Sequence, residues 1–275
     1  MANNPYPNYV LANEVEDQYN SLLDLQTFCT VDNSLAGTPG MTKKIRVYSA
    51  TDGTEKLAKG AGNTKSIEAD WNEVEYKILM AQNRFEYFDE DEMEDPLVVQ
   101  TGMRHAAVDL FNTVNADIFA EFNKATLNVS ASAFDFGAFV DAMALLNLEK
   151  MEGVNAFAWV APADMASVRK TLKDDLKYVE AFVKTGYVGT VGGVNLYVKK
   201  DATPGTIVGG TREAVTLFNK LGTEVEQVLK NNRSETAANV RKNTIFTRKF
   251  YLPAMTDATK AFKIVKAESE EVDSK

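Results

Sequence analysis

The chain has 275 residues, of which 45% are hydrophobic and 25% charged, with a formal net charge of −9. This composition predicts a globular protein large enough to bury a core, and the negative charge argues against a general nucleic-acid binder. One cysteine and one histidine, Cys29 and His105, exclude an internal disulfide and any multi-thiolate or histidine-rich metal site. Charged residues break every apolar run well before the roughly 18 residues of a membrane span, so no membrane contact is expected.

Residues 1–42 contain no Lys or Arg and carry five acids, a net charge of −5. Their opening sequence has turn chemistry without a sustained period, and it lacks the basic and apolar regions of a secretory signal. Two interpretations remain open: a poorly ordered terminus, or an extended arm that packs on a partner because it is too apolar for a linker. The apolar residues that favour the second are Tyr6, Tyr9, Leu22, Leu23, Leu25 and Phe28.

Period-two alternation predicts a long β-hairpin, with candidate strands at residues 43–48 and 74–80. After Met80 the apolar positions shift by one, which predicts a bulge or kink near residues 81–83. The polar, glycine-containing connection between the strands predicts a mobile tip. Because an isolated hairpin is only marginally stable in water, we expect this one to lie on another surface.

An acidic run precedes a long amphipathic helix. The run suits a helix N-terminus electrostatically, and a divalent-cation site is the alternative, although the spacing and glycine of a calcium loop are absent. The helix is predicted from Asp95 as N-cap, with Pro96 in the first helical position, to about Ala125. At about 30 residues and roughly 45 Å it would serve as a spine. The acids are Glu86, Asp89, Glu90, Asp91, Glu92, Glu94 and Asp95; the apolar stripe is Val99, Met103, Ala107, Leu110, Val114, Ile118 and Phe122.

Strands and helices alternate from residue 134 to about 229, which is typical of a compact α/β unit. Later extended segments need sheet partners, which residues 43–48 or the base of the hairpin could supply. The chain then ends in a polar tail. The predicted elements are helices over 136–150 and from Pro162 to about 186, and strands over 155–161, 194–198, 206–208, 243–252 and 262–265.

Four glycines, Gly186, Gly189, Gly192 and Gly193, form the motif closest to a ligand site. It matches neither a dinucleotide fingerprint nor a P-loop. It also leaves a helix to enter a strand, whereas phosphate-binding loops lead from a strand to a helix. We therefore interpret the four as structural glycines in a loop with positive φ angles, and we expect no cofactor and no metal.

The remaining candidates are single groups. His105 is expected to be a packing or interface residue and Cys29 a small buried hydrophobe. Asp174 and Asp175 could form half of an acid–base pair, but no substrate pocket is indicated. A basic stretch could touch phosphate, although subunit contacts explain it at least as well. It comprises Lys230, Arg233, Arg241, Lys242, Arg248 and Lys249.

The order of these elements resembles the HK97-fold major capsid proteins of tailed double-stranded DNA phages. In that family an N-terminal arm is followed by an extended loop (E-loop), the spine helix of the peripheral (P) domain, an axial (A) domain and a return to the P domain. The glycine motif with residues 194–197 resembles the step into a central A-domain strand. Residues 233–251 and 261–264 resemble the closing segment. The resemblance covers nearly the whole chain.

The resemblance implies an α+β, HK97-like capsid fold and a structural protein that is not an enzyme. Its copies would form the pentamers and hexamers of an icosahedral shell around non-specifically packaged double-stranded DNA, with scaffolding and portal partners, assembled in the host bacterial cytoplasm. An encapsulin-type shell around cargo enzymes is one alternative and a cytosolic α/β enzyme another. The implied divisions are an N-terminal arm (1–42), a β-hairpin E-loop (43–88), a P domain (89–133 and 230–268), an A domain (134–229) and a polar tail (269–275).

The charge pattern predicts a contact between subunits. Residues 43–66 carry six bases against two acids, a net of +4, and residues 84–95 one base against seven acids, a net of −6. In the family the E-loop lies across the P domain of an adjacent subunit. We therefore expect Lys56, Lys59 and Lys65 to meet Glu90, Asp91 and Glu92. Alternatively, the acids stay solvated and the bases keep a mobile loop soluble.

Overall fold

The computed structural model describes residues 23–148, 155–172 and 189–267, and the strands in this part of the chain form three sheets. The first 22 residues, Asp174, Asp175, Gly186, the predicted end of the helix that begins at Pro162, and the polar tail lie outside the described residues. The strands are β1 Thr30–Asp32, β2 Thr42–Ala50, β3 Ala69–Lys77, β4 Leu79–Phe88, β5 Leu127–Ala131, β6 Ala156–Val160, β7 Thr190–Val191, β8 Val194–Val198, β9 Thr206–Gly210, β10 Val215–Val228, β11 Lys242–Met255 and β12 Ala261–Lys266. The α-helices are α1 Asp89–Glu94, α2 Leu97–Phe122, α3 Phe136–Leu145, α4 Pro162–Thr171 and α5 Glu235–Asn239.

The largest sheet is mixed and runs in the order β5-β12-β9-β6-β8-β7. One face of it packs against α3 and α4, and the other against the spine helix α2, so its strand β6 is buried along its whole length. Burial on both faces explains why Ala-Phe-Ala-Trp-Val is continuously apolar rather than alternating. The strand predicted over residues 155–161 is therefore confirmed.

The second sheet has the order β1-β10-β11-β4. Strand β11 pairs with β4 in antiparallel register, so the base of the hairpin, and not residues 43–48, supplies a partner for the segment predicted over 243–252. The segment predicted over 262–265 pairs with neither of them: β12 lies between β5 and β9. The kink predicted near residues 81–83 is wrong: the break lies at Ile78, between β3 and β4, where the Ile78 N–H donates to the Met41 carbonyl at 2.8 Å. The apolar positions shift because the chain changes sheets there, and β4 then turns alternate residues towards the spine helix.

The spine helix α2 begins at Leu97, and the acids before it form a separate short helix, α1. Pro96 is the N-cap rather than the first helical residue, while the Asp95 carboxylate accepts a hydrogen bond from the Leu97 N–H at 3.0 Å. The predicted stripe is buried only in the second half of the helix, where the six-stranded sheet covers it. Its first half meets β4 through Gly102 and Ala106, whereas Ala107 of the predicted stripe is exposed.

Candidate assembly surfaces

Strands β2 and β3 form a two-stranded arm (residues 42–77), as the alternation predicted, with Ile45 opposite Val74. One face of the arm is charged: Glu73 pairs with Lys44 at 3.0 Å and with Arg46 at 3.5 Å. The other face is apolar near the base, where the Tyr76 ring lies 5.1 Å from that of Phe218. The arm's two strands pair only with each other among the described residues. A single chain therefore supports the base of the arm and leaves its outer part exposed.

The tip of the arm, residues 51–68, is organised by Glu55. Its carboxylate accepts hydrogen bonds from the Thr64 N–H at 2.7 Å and the Thr64 hydroxyl at 2.6 Å, and these bonds lower the pKa of Glu55. Two apolar side chains of the tip, Leu57 and Ile67, are 47% and 63% exposed. The three predicted contact lysines, Lys56, Lys59 and Lys65, are exposed on the same segment. The tip thus combines positive charge with uncovered apolar surface.

The six bases counted from the sequence divide into two groups. Lys43 pairs with Asp32 at 3.4 Å, and Lys44 and Arg46 pair with Glu73. These pairs engage the three bases of β2 inside the chain, although Lys44 and Arg46 stay more than half exposed; the three tip lysines are exposed as well. The prediction based on a net charge of +4 therefore depends on three residues rather than six.

The acidic helix α1 is anchored by a partly buried polar cluster that the sequence did not reveal. The Arg233 guanidinium forms an ion pair with Asp89, and the Asn243 amide donates to the same carboxylate at 2.8 Å. The Arg233 side chain is 7% exposed and Asn243 is 1% exposed. Hydrogen bonds from Arg233 and then Asn243 hold the pKa of Asp89 below its usual range. The cluster joins α1 to Arg233, which lies just before α5, and to Asn243 at the start of β11.

Two further acids are paired within the chain, Glu90 with Arg241 at 3.5 Å and Glu86 with Lys242 at 2.7 Å. Adding Arg233, Arg241 and Lys242 changes the net charge of the acidic region from −6 to −3. Three of the seven acids are thus paired with the basic stretch of their own chain. Glu92 remains exposed beside Met93, which is 77% exposed.

Gly192 and Gly193 form a two-residue hairpin turn between β7 and β8. Their φ angles are +55° and +86°, and Val191 pairs with Val194 across the turn. Positive φ at both positions is the requirement of a type I′ turn. A Cβ atom on Gly192 would also lie 3.2 Å from Phe139 and Val140. The Gly189 carbonyl accepts a hydrogen bond from the Leu196 N–H at 2.9 Å.

Residues 23–41, which we call the strap, pack on their own chain. The sequence left open a disordered terminus or an arm ordered by a partner. In the structure Leu25 and Cys29 are fully buried between the spine helix and the two large sheets. Cys29 is the predicted buried hydrophobe, and burial raises the pKa of its thiol to about 12.

No group of three or more His, Cys, Asp and Glu side chains in the described residues is placed to hold a metal ion. In the same part of the chain, no helix combines the length and apolarity needed to cross a membrane. A hollow beside α4 is lined by Phe134, Asp164, Lys170 and Lys266, but the Asp164 carboxylate already accepts a hydrogen bond from the Gly205 N–H at 2.8 Å.

No protein-family model and no curated protein sequence matches this chain. Solved structures do match it. The capsid of the native GTA particle aligns with a TM-score of 0.67 at 14% identity, over 89% of this chain and 90% of that one. This chain has a phage-capsid fold. The capsid of cyanophage P-SCSP1u aligns with a TM-score of 0.65 at 13% identity, over 88% and 87%.

A virus-like particle from Pyrococcus furiosus aligns with a TM-score of 0.54 at 11% identity, over 93% of this chain and 96% of that one. The alignments extend over most of both partners, so the likeness concerns the complete fold and not one shared module. They confirm the α+β, HK97-like capsid fold that the order of elements implied.

Proposed function

We propose that this chain is a major capsid protein whose copies assemble into the icosahedral shell of a tailed double-stranded DNA phage. The observation that carries the proposal is the capsid fold, which the chain shares with the GTA and cyanophage capsids over nearly nine-tenths of its length. The fold neighbours are shell components, which favours a structural role over an enzymatic one. The proposed divisions are those given from the sequence: the N-terminal arm, the E-loop, the P domain, the A domain and the polar tail.

The exposed arm supports assembly on physical grounds. An isolated two-stranded ribbon is marginally stable in water, and Ile67 and Trp71 on this one are more than half exposed. Contact with a second copy would cover this surface. Within that scheme Gly192 and Gly193, with Gly186 and Gly189, serve to fold the A domain and not to bind a ligand.

Negative-stain microscopy and light scattering of the purified protein test the proposal. We expect closed shells or rings of five and six subunits. Only 30.3 kDa particles, across a range of protein concentration and salt and with or without a scaffolding protein, would contradict it.

We further propose that the arm tip of one subunit contacts α1 of its neighbour. The tip carries Lys56, Lys59 and Lys65 together with the exposed Leu57 and Ile67. Helix α1 carries Glu90, Asp91 and Glu92 together with the exposed Met93. Each exposed ion pair contributes only about 0–1 kcal/mol, and the pairs already made inside the chain weaken the acidic patch. Several pairs repeated at every subunit contact would steer assembly and weaken with salt.

Reversing the charge of the tip tests this contact. Changing Lys56, Lys59 and Lys65 together to Glu should block assembly at low salt while the chain stays folded by circular dichroism. Changing Glu90, Asp91 and Glu92 to Lys should partly restore it. The matched control changes Lys170, Lys200 and Lys266, which are exposed on the body of the chain, to Glu. Normal shells from the tip variant at low salt would show that these charges do not direct assembly.

An encapsulin-type shell around cargo enzymes is the second candidate, favoured by the likeness to the Pyrococcus furiosus virus-like particle. The contents of shells from the native source distinguish the two. Nuclease-protected double-stranded DNA supports the phage capsid, and a co-purifying enzyme supports the alternative. Scaffolding and portal partners, and assembly in the cytoplasm of the bacterial host, belong to the phage proposal.

A further inference from the structure

The N-terminal end of the strap is held by one buried side-chain amide on the spine helix. The Asn115 carbonyl oxygen accepts a hydrogen bond from the Leu25 N–H, and its amide nitrogen donates to the Leu23 carbonyl, both at 3.1 Å. Asn115 is 3% exposed. A buried amide must satisfy its polar atoms inside the protein, and here both bonds are made to the strap backbone.

The middle of the strap bridges the two large sheets. The Phe28 ring lies 4.7 Å from that of Phe157 and 4.8 Å from that of Tyr197, both in the six-stranded sheet. On the other side, the strap's short strand β1 pairs with β10 of the four-stranded sheet, and Arg212 donates to the Cys29 carbonyl at 2.9 Å. The strap therefore touches the spine helix and both sheets.

The C-terminal end of the strap supports the arm formed by β2 and β3. Lys220, on β10, donates to the carbonyls of Leu35 and Thr38. Leu35 and Met41 pack in one apolar cluster with Ile45 and Tyr76 of the arm. The Met41 carbonyl accepts the hydrogen bond from Ile78, the residue at which the arm leaves the four-stranded sheet.

We propose that the strap is a releasable clamp that couples the spine helix to the arm. Its attachments are side chains and a three-residue edge strand, so its release removes only β1 from the four-stranded sheet and leaves the pairing among β10, β11 and β4 intact. The arm's apolar base rests on the strap and on Phe218, so the arm loses part of its support when the strap detaches. The strap thus sets how firmly the arm is presented. This inference concerns one chain and does not depend on the proposed shell.

The experiment weakens the attachment of the strap at its N-terminal end, which is remote from the arm. Asn115→Ala removes both hydrogen bonds to the N-terminal end of the strap. The matched control is Thr113→Ala, an exposed position on the same helix whose hydroxyl donates to the Asp109 carbonyl. Strap release is read from thiol labelling of Cys29, the only cysteine in the chain and fully buried when the strap is docked. Arm support is read from amide hydrogen exchange of residues 42–45 and 74–78. Wild type and variants are compared as the full chain in the same assembly state, checked by light scattering.

Loss of two buried hydrogen bonds should raise both the Cys29 labelling rate and the arm-base exchange rate about five- to thirty-fold, while Thr113→Ala changes neither. Lys220→Ala should raise exchange in the arm base and leave Cys29 labelling as in wild type. Faster labelling of Cys29 with unchanged exchange in the arm would overturn the coupling. An unchanged labelling rate, or equal effects from Thr113→Ala, would overturn the clamp itself. If Asn115→Ala does not fold, Phe28→Ala releases the strap from the other side with the same expected pair of changes.

Discussion

The spine helix carries one glycine at the point where it crosses β4, and adding a methyl group there should destabilise the protein. A Cβ atom on Gly102 would lie less than 3.0 Å from three carbons of the Phe85 ring. That ring cannot swing away freely, because it stacks on Tyr87 at 5.6 Å and Tyr87 is itself 5% exposed. Gly102 therefore allows the helix to approach the Phe85 ring on β4 more closely than a residue with a side chain could.

Two opposing effects decide whether Gly102→Ala raises or lowers the free energy of unfolding. Alanine is favoured over glycine inside a helix by about 1 kcal/mol. Overpacking costs about 1–3 kcal/mol, and the stacked ring places this site in the upper part of that range. The expected net effect is a loss of about 1–2 kcal/mol in the free energy of unfolding, which lowers Tm by about 2–4 °C per kcal/mol.

Urea unfolding of the unassembled chain, followed by circular dichroism, measures this loss. The matched control is Gly137→Ala in α3, where a new Cβ would lie 3.4 Å from the Asp135 carboxylate, an ordinary contact, so helix propensity should stabilise the chain by up to about 1 kcal/mol. Replacing Phe85 with Leu in the Gly102→Ala background should recover part of the loss, as expected for neighbours. If Gly102→Ala stabilises as Gly137→Ala does, the ring does not constrain the crossing.

Two further predictions concern the turn and the buried cluster. Gly192→Val should abolish soluble protein because a β-branched residue cannot adopt its positive φ angle; Gly222→Ala, in open space, should express normally, and a soluble Gly192→Val would refute the type I′ requirement. Because Arg233 lowers the pKa of Asp89 in the folded state, the stabilisation is complete above the unfolded pKa of about 4 and is lost as the pH falls through the folded pKa. The urea concentration at the unfolding midpoint should therefore decrease as the pH is lowered below about 4. The midpoint of the Asp89→Asn variant should decrease less steeply over the same pH range. Parallel curves for the two proteins would show that another group dominates.

Local periodicity determined much of the fold. The alternation in residues 43–48 and 74–77, the apolar run at 155–161 and the stripe around Val114 and Ile118 each predicted the right element, because side-chain spacing reports which face is covered. The strand predicted to continue to Met80 instead breaks at Ile78, where the chain changes sheets. The order of those elements also indicated the capsid fold. Strand β10 was missed because its outer half, from Leu221 to Gln227, is exposed on both faces and therefore carries no burial pattern.

Tertiary structure decided which charged side chains pair and where the strap packs. Asp89 and Arg233 are 144 residues apart, and nothing local to either one marks it as half of a buried pair, so the acidic run resembled a solvated surface. The strap's place on Asn115 depends on contacts across 90 residues or more, whereas its own composition fits a partner's surface equally well. Sequence patterns record the environment of each face along one element; long-range pairing is fixed only when the sheets and the spine helix close around one core.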